Sequence, residues 1–304
     1  MRENLLFDIK RYAINDGPGI RITLFMKGCP LSCVWCHNPE GISVHKQKLY
    51  TKKKCIGCCT CVEICPEQAL SLTPDGIVSD DSRCVLCGKC VAECPALALE
   101  MSGTSYGCEY LMSEIEKETE VMDGSGGGVT FCGGEPLLQP DFLLEMLRRC
   151  GEKDIHRTVD TSLYARPELV KEVAACCDLF LVDLKMMDSV RHKNYCGVPN
   201  ELILSNLRMI AEMGCRFWVR IPLIVGVNAD EENLIRSADF LASLPWQEKK
   251  VDLLPYHDIA RNKHEKMRTL YNPQGVGLSA PSEEEKQKAV RIFESRGFTV
   301  TLGG

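Results

Sequence analysis

Cysteine is the residue type most able to do chemistry in this sequence, because 19 of the 304 residues are cysteines. Two segments share one spacing, in which three cysteines recur at every third position and a Cys-Pro pair begins four positions later. The first segment contains Cys55, Cys58, Cys61 and Cys65, and the second contains Cys84, Cys87, Cys90 and Cys94. This spacing is the bacterial ferredoxin signature, in which the first three thiolates bind one [4Fe–4S] cluster and the fourth binds the other.

The signature therefore predicts two ligand sets that exchange their fourth cysteines. One cluster takes Cys55, Cys58, Cys61 and Cys94, and the other takes Cys84, Cys87, Cys90 and Cys65. The sequence around the fourth cysteine also repeats, as CPEQAL and then CPALAL, which indicates an internally duplicated module. Zinc also binds paired cysteines, but its sites rarely use four cysteines in this spacing twice over. Cys59 stands between two ligands, and we interpret it as a packing residue.

A third group consists of Cys29, Cys33 and Cys36, and it has no fourth cysteine. Three thiolates would leave one iron of a [4Fe–4S] cluster unligated, which suits a cofactor that chelates the open iron. A loop of stray thiols is the alternative that this spacing alone leaves open. The cysteines without ligand spacing are predicted to be mostly buried small hydrophobic residues. They are Cys59, Cys108, Cys132, Cys150, Cys176, Cys177, Cys196 and Cys215.

The third group lies in a segment that resembles the radical S-adenosylmethionine (SAM) motif, C-x3-C-x-aromatic-C, with Trp35 as the aromatic residue. The preceding DGPGIR (16–21) and the following HNPE (37–40) are similar to segments of the enzymes that activate glycyl radical enzymes, of which pyruvate formate-lyase activating enzyme is the best-known member. The likeness covers nearly the whole chain. It continues through GGGVTFCGGEP (126–136), VDTS (159–162), DLK (183–185), VRIPLI (219–224) and LLPYH (253–257). One departure is Cys132, which stands where relatives usually carry Ser.

This resemblance implies an oxidoreductase that acts on a partner protein. In such an enzyme, one electron from the catalytic cluster cleaves SAM and gives a 5′-deoxyadenosyl radical, which abstracts a hydrogen atom from a backbone glycine of a glycyl radical enzyme. Two alternatives stay open: a radical SAM enzyme that acts on a small molecule or another protein, and a multi-cluster electron-transfer protein. The second alternative does not explain the GGE, DLK and LLPYH segments, because an electron carrier needs no barrel pocket.

Short β-rich runs alternate with helical segments outside the ferredoxin-like stretch, which predicts an α/β fold with parallel strands and right-handed crossovers. The predicted strands are Ile20–Lys27, Gly128–Phe131, Thr158–Thr161, Leu179–Asp183, Phe217–Leu223, Val251–Leu254 and Phe298–Thr301. The predicted helices are Glu109–Val121, Pro140–Cys150, Arg166–Cys176, Glu201–Met213, Glu231–Ser243 and Ser282–Ser295. About six such units are similar to the partial (β/α)6 TIM-like barrel of the family. We expect residues 1–50 and 102–304 to form this barrel, with residues 51–101 inserted as a ferredoxin-like domain.

Polar residues follow the predicted strands at the ends where barrel active sites are built. Each one, for example Asp183 or His257, could alone be an ordinary surface residue, but their recurrence at equivalent ends predicts a shared pocket. Together with the resemblance, this pocket gives the candidate SAM-binding residues Trp35, Gly133, Gly134, Glu135, Asp160, Lys185, Arg220 and His257. Glu135 and Asp160 are the candidates for the amine of SAM, and Lys185 for its carboxylate. The resemblance adds a possible monovalent cation at Asp160, Thr161 and Asp183, and a contact of Asp16, Gly17 and Gly19 with the glycine loop of the partner.

The expected cofactors are three [4Fe–4S] clusters and SAM, and the expected partners are a glycyl radical enzyme and an electron donor, flavodoxin or ferredoxin. The two extra clusters would conduct electrons to the catalytic cluster, or would only brace the insertion. A net charge of −6 argues against nucleic acid as a partner. The sequence has no apolar run long enough to span a membrane and no secretory signal, so we expect a cytoplasmic protein, acting as a monomer.

Overall fold

The computed structural model describes residues 4–303, in which strands and helices alternate along most of the chain. The strands are β1 (Leu5–Ala13), β2 (Arg21–Met26), β3 (Gln47–Tyr50), β4 (Leu70–Thr73), β5 (Gly76–Ser79), β6 (Leu99–Ser102), β7 (Thr104–Ser105), β8 (Gly128–Gly133), β9 (Arg157–Thr161), β10 (Leu179–Asp183), β11 (Phe217–Leu223), β12 (Lys250–Pro255) and β13 (Thr299–Leu302). The α-helices are α1 (Thr60–Glu63), α2 (Lys89–Ala92), α3 (Cys108–Glu116), α4 (Thr119–Ser125), α5 (Pro140–Gly151), α6 (Pro167–Ala174), α7 (Ser189–Cys196), α8 (Glu201–Glu212), α9 (Glu231–Ala242), α10 (Ala260–Met267) and α11 (Glu283–Glu294). Within residues 4–303, every helix is too short or too polar to cross a bilayer.

The main sheet has nine strands in the order β13-β12-β11-β10-β9-β8-β2-β1-β7. In this sheet β2 and β8 to β13 form a parallel run in which each strand pairs with its neighbour. Strand β1 is antiparallel to both β2 and β7. Alternate residues of β11 show the layering: Phe217, Val219, Ile221 and Leu223 belong to the buried core cluster, which also contains side chains of the surrounding helices. The intervening Arg220 faces the barrel interior. This arrangement confirms the predicted α/β fold with a partial TIM-like barrel.

All seven predicted strands are present, and β10 and β11 have the predicted bounds. The predicted helix Glu109–Val121 is instead two helices, α3 and α4, because the chain departs from helical geometry at Glu118 (φ −104°, ψ 6°). The sequence did not predict β1, α7 or α10. The missed helix α10 buries only Ala260 among its eight residues, so no apolar periodicity marks it.

The ferredoxin-like stretch leaves and rejoins the barrel at one place. Strands β3 and β6 pair antiparallel from Gln47 with Ser102 to Tyr50 with Leu99, which holds the two ends of the stretch side by side. Between them, α1 and α2 carry the equivalent cysteines of the two repeats, and β4 pairs with β5. Residues from both repeats form a small core of their own. The predicted boundaries at residues 51 and 101 fall just after β3 and inside β6.

The loop before β2 folds against the interior of the barrel. The Thr23 hydroxyl donates a hydrogen bond to the Asp16 carboxylate (2.7 Å), and the Thr130 hydroxyl donates to the Asp16 carbonyl (2.6 Å). Arg21 is buried, and its guanidinium donates to neutral acceptors that include Thr130 Oγ1 (2.7 Å) and the Pro18 carbonyl (2.9 Å). Gly19 has a φ of +66°, and a Cβ there would lie 2.4 Å from the backbone nitrogen of Gly127. Its packing therefore gives Gly19 a structural role, whatever contact it makes with a partner.

Gly19→Ala is expected to lower the free energy of unfolding. The left-handed conformation accounts for about 1–3 kcal/mol of this loss, and the clash of the new Cβ with the backbone adds to it. The matched control is Gly124→Ala, because Gly124 is exposed in α4 and a Cβ there meets no atom within 4 Å. That change should leave the stability unchanged or raise it by about 0.5–1 kcal/mol. Thermal unfolding of the two variants under identical anaerobic conditions checks this; equal midpoints would contradict the close contact at Gly19.

Candidate active site

A cavity opens at the carboxyl ends of the parallel strands, where sequence reasoning expected the pocket. Its lining includes all but one of the residues predicted for the catalytic cluster, SAM and the cation, contributed by the loop after β2 and by the ends of β8, β9, β10 and β11. The predicted residues that line it are Cys29, Cys33, Trp35, Cys36, Gly133, Gly134, Glu135, Asp160, Thr161, Asp183, Lys185 and Arg220. The structure therefore brings together thiols, cations and carboxylates that lie up to 191 positions apart in the sequence (Cys29 to Arg220).

The loop that carries the three cysteines, residues 28–42, is held by backbone hydrogen bonds from two sides. Within the loop, the nitrogen of Gly28 donates to the carbonyl of Gly41 (2.7 Å). At the end of α7, the carbonyls of Tyr195 and Cys196 accept hydrogen bonds from the nitrogens of Val34 (3.0 Å) and Ser32 (2.9 Å). Because these bonds flank Cys33 on both sides, they fix the backbone position of that cysteine.

Gly133 and Gly134 pack the end of β8 against this cysteine loop. The nitrogen of Gly134 donates to the carbonyl of Met26 (2.7 Å), and that of Glu135 donates to the carbonyl of Gly28 (2.7 Å). A Cβ on Gly134 would lie 2.3 Å from the Gly28 carbonyl oxygen. The absent side chain therefore provides room for the backbone of the cysteine loop, while both glycines still line the cavity.

Glu135 is buried, and its carboxylate already accepts four hydrogen bonds. Oε1 accepts from the Thr161 hydroxyl (2.6 Å) and the Leu137 nitrogen (3.2 Å), and Oε2 accepts from the nitrogen (2.9 Å) and hydroxyl (2.6 Å) of Ser162. Four acceptor positions are about the capacity of a carboxylate. These contacts favour a positioning role, in which Glu135 ties the loop after β8 to the loop after β9; contact with an amine would require an exchange of one of the four bonds.

Two ion pairs occupy the centre of the cavity wall. Arg220 Nη1 lies 2.7 Å from Asp160 Oδ2, and Lys185 Nζ lies 2.8 Å from Asp183 Oδ2. Burial raises the pKa of Asp160, although the adjacent Arg220 acts in the opposite direction. Burial opposes the charge on Lys185, but Asp183 and the nearby Cys33 outweigh it and raise the pKa of Lys185. The cavity wall thus carries two cations and two carboxylates, which are the groups that a zwitterionic ligand could contact.

Cys196 is a buried packing residue, as the sequence predicted, but nothing in the sequence indicated its contact with Cys33. Cys196 is fully buried in the apolar cluster beneath the cysteine loop. A hydrogen bond from its thiol, and secondarily the charge of Lys185, lower the pKa of Cys33. Cys132 lies on the opposite wall of the cavity, where burial and the neighbouring Asp160 raise the pKa of its thiol. No spacing rule relates Cys196 to Cys33, so only the packing of α7 against the loop reveals the contact.

Some predicted site residues lie elsewhere or have other partners. His257 is exposed and does not line the cavity; its ring stacks on that of His37, at 4.1 Å between centroids, and His37 lines the cavity in its place. Asp160 and Asp183 each pair with a cation of the protein, and Thr161 donates to Glu135, so all three candidate cation ligands have protein partners. Asp16, Gly17 and Gly19 lie in the half-buried loop before β2, outside the cavity lining.

Two smaller cavities in the insertion are lined by the remaining predicted ligands. One contains Cys55, Cys58, Cys61 and Cys94 in its lining, and the other contains Cys65, Cys84, Cys87 and Cys90. Each cavity therefore combines three cysteines of one repeat with the fourth cysteine of the other. Among the described residues, no three His, Cys, Asp or Glu side chains converge on a single ion position. In a [4Fe–4S] cluster each thiolate binds a different iron, so its ligands surround a volume rather than a point.

Comparison with known proteins agrees with this arrangement. The model of the radical SAM superfamily matches residues 81–238, that of a 4Fe-4S dicluster domain matches residues 54–98, and that of a 4Fe-4S single cluster domain matches residues 15–69. A domain of pyruvate-formate lyase-activating enzyme from Bacteroides vulgatus has a similar solved structure, with a TM-score of 0.51 and 50% identity, over 59% of this chain and 99% of that chain.

Similarity to activating enzymes extends over the whole length. The chain is 44% identical over 303 residues to the trans-4-hydroxy-L-proline dehydratase activating enzyme of Clostridioides difficile, with 99% of both chains covered. It is 37% identical over 301 residues to the choline trimethylamine-lyase activating enzyme of Oleidesulfovibrio alaskensis, with 96% of both covered. These matches confirm the activity class that the motifs indicated. The chain belongs to the activating enzymes of glycyl radical enzymes, within the radical SAM superfamily.

Proposed function

We propose that this chain generates the glycyl radical of a dehydratase similar to trans-4-hydroxy-L-proline dehydratase, using SAM and three [4Fe–4S] clusters. The observation that carries the proposal is the cavity in which Cys29, Cys33 and Cys36 face two cation–carboxylate pairs. The choice of partner rests on the 44% identity to the activating enzyme of that dehydratase over 99% of both chains.

The donor set of the cavity fits a site-differentiated cluster with SAM. Cys29, Cys33 and Cys36 would hold three irons and leave the fourth for the amine and carboxylate of SAM. A cluster and SAM held there would supply radical chemistry, in which one electron cleaves SAM to methionine and a species able to take a hydrogen atom from the partner's glycine. Metal binding displaces protons from the thiols, and burial makes this costly at Cys36, where it raises the pKa to about 12.

The residues of the chain orient the ligand and exclude water. Lys185 and Arg220 are the cations available to the carboxylate of SAM, and Asp160 and Asp183 are the anions available to its amine. Trp35 and Ile224 are buried in the cavity wall, which keeps bulk water from the reacting end. Glu135 contributes by holding the loops after β8 and β9 in register. A monovalent cation would have to compete with Lys185 and Arg220 for Asp183 and Asp160.

The two further cavities would hold clusters that pass electrons from flavodoxin or ferredoxin to the catalytic cluster. We also propose that residues 51–101 form an inserted domain and that the chain acts as a monomer that meets its larger partner transiently. We place the protein in the cytoplasm, where thiols stay reduced. Asp16 would contact the glycine loop from the base of the barrel, because its carboxylate lies beside Thr23 on the inner face of β2.

The first test is the iron and sulfide content of the anaerobically reconstituted protein, with EPR spectra before and after SAM is added. We expect about twelve irons, three clusters of four, and one spectral component that changes with SAM. The same preparation should then produce a glycyl radical signal when it is mixed with the dehydratase. About four irons, or a spectrum that SAM does not change, would contradict the proposal.

Cys33→Ala is expected to abolish SAM cleavage while about eight of the twelve irons stay bound, because the ferredoxin-type cavities do not include Cys33. Cys215→Ala is the matched control, since Cys215 is a half-buried thiol that lines none of the three cavities. It should keep all the iron and the full rate of 5′-deoxyadenosine formation, measured by chromatography. Loss of all iron from Cys33→Ala would show that the sites are not separate.

The double variant Cys55→Ala and Cys84→Ala distinguishes an electron relay from a structural brace. If the extra clusters conduct electrons, the variant should activate the partner at the normal rate with dithionite but at least about tenfold more slowly with flavodoxin, as expected when the relay potential is lost. The readout is the rate of glycyl radical formation by EPR. Equal activity with both donors would assign the two clusters a bracing role instead.

A further inference from the structure

The two repeats of the insertion are equivalent in their cysteines but differ in one charged neighbour. Both cluster cavities are lined by the paired strands β3 and β6. The cavity of Cys65, Cys84, Cys87 and Cys90 contains Lys48 and Met101, whereas the cavity of Cys55, Cys58, Cys61 and Cys94 contains Tyr50 and Leu99. Lys48 and Tyr50 are two positions apart on β3, so their side chains lie on the same face of the strand.

Lys48 contacts a cluster ligand directly. Its ammonium Nζ lies 3.4 Å from the Sγ of Cys84 and 2.6 Å from the hydroxyl of Ser79 on β5. Tyr50, beside the other set of cysteines, contacts the same strand β5. Its hydroxyl accepts a hydrogen bond from the nitrogen of Ile77 (3.1 Å). A cation therefore stands against one set of cysteines, and a neutral phenol stands in the matching place at the other.

Other charges around the two cavities are farther from the sulfurs or exposed. Arg268 lies over the ring of Tyr50, 5.4 Å from its centroid, and donates to the carbonyl of Ile77. Lys89 and Glu67 line the cavity of Lys48, but both are exposed to solvent, which screens their effect. Lys48, by contrast, is half-buried, and its ammonium hydrogen-bonds directly to the Sγ of Cys84.

A cation beside a cluster favours its reduced form. One-electron reduction makes the cluster and its thiolates more negative, so a nearby ammonium and an N–H···S hydrogen bond stabilise the reduced state more than the oxidised state. Hydrogen bonds and net charge are among the factors that set the reduction potential of such clusters. The cluster beside Lys48 should therefore have a higher potential than the cluster beside Tyr50.

Lys48 also stands at the end of β3 that faces the barrel. The neighbouring Gln47 accepts a hydrogen bond (3.0 Å) from Lys27, which precedes the catalytic Cys29 by two residues. Tyr50 lies about 7 Å farther along the strand at the usual rise per residue. Met101 lines the cavity of Lys48, and together with Asn38 it also lines a separate groove. Asn38 in turn lines the cavity of the three catalytic cysteines. These contacts connect the Lys48 end of β3 to the loop that carries the three catalytic cysteines.

We infer that Lys48 raises the reduction potential of the cluster held by Cys65, Cys84, Cys87 and Cys90, and thereby makes it the cluster from which electrons leave the insertion. The inference rests on the proposed function, since it requires both auxiliary clusters. One electron moves from the cluster of Cys55, Cys58, Cys61 and Cys94, which is oxidised, to the cluster beside Lys48, which is reduced. The donor is the flavodoxin or ferredoxin already proposed, and no bond is made or broken.

The test is a redox titration of the fully reconstituted chain, followed by EPR, with Lys48→Met compared with the unchanged protein. Loss of a charge-assisted hydrogen bond should lower the ratio of reduced to oxidised cluster about tenfold at a fixed potential, a shift of about 59 mV for a one-electron couple. We expect one of the three clusters to shift to a lower potential and the other two to stay unchanged. Cys84→Ser and Cys55→Ser, each of which should alter the spectrum of its own cluster, identify the signal that moves.

Two variants serve as controls, and a third can replace the test variant. Lys48→Arg keeps the charge and should restore most of the potential, whereas Lys52→Met removes an exposed lysine that pairs with Asp75 at 3.3 Å and should change nothing. If Lys48→Met binds less iron than the unchanged chain, Lys48→Gln replaces it, because glutamine keeps a donor without the charge, and a smaller fall in potential in the same direction is expected.

The outcomes separate this inference from the proposed function. The role of Lys48 would be overturned if loss of its charge left all three potentials unchanged, or if the potential of the cluster of Cys55 shifted instead. Either result would leave the proposed function intact. Fewer than three clusters in the unchanged protein would instead contradict the proposed function itself.

Discussion

The cysteine loop has to present three thiols on one side while its own backbone polar groups are satisfied on the other. It achieves this by backbone contact with two neighbours: the Gly133-Gly134 turn after β8 and the end of α7. The first contact leaves no room for a side chain, because a Cβ at Gly134 would lie 2.3 Å from the Gly28 carbonyl oxygen, and Gly197 at the end of α7 has a φ of +85°, which favours glycine. The rest of the site depends on this packing, since it fixes where the three sulfurs face the strand ends.

Charges inside the barrel are stabilised either by an opposite charge or by neutral hydrogen-bond partners. Arg220 and Lys185 are each matched by an aspartate at hydrogen-bonding distance, whereas the buried Arg21 is surrounded by hydroxyl and carbonyl oxygens. Desolvation lowers the pKa of Arg21 to about 10, with Asp16 and Asp178 acting in the opposite direction. The full set of hydrogen bonds makes such an arginine tolerable, and it attaches the loop of Asp16 to the base of the barrel.

The insertion is attached to the barrel by buried polar contacts rather than by an apolar interface alone. Lys27 is buried and donates to Gln47 and to Ser102, the residues at one end of the β3–β6 ladder. On the other side, Arg268, which follows α10, donates a hydrogen bond to the carbonyl of Ile77 in β5. These bonds are directional, so they hold the cluster cavities of the insertion at a defined place relative to the catalytic cysteines.

The sequence alone determined the chemistry that depends on local spacing. The ligands predicted for one cluster, such as Cys55, Cys58 and Cys61, must be close in the chain, and a buried parallel strand such as β10 is recognisable as a short apolar run. Polar elements such as α10 escaped because they bury almost nothing. Only the tertiary structure decided the contacts between residues distant in sequence: Cys196 under Cys33, the four hydrogen bonds of Glu135, and Lys48 against Cys84. These contacts arise from how elements pack, and no residue spacing encodes that geometry.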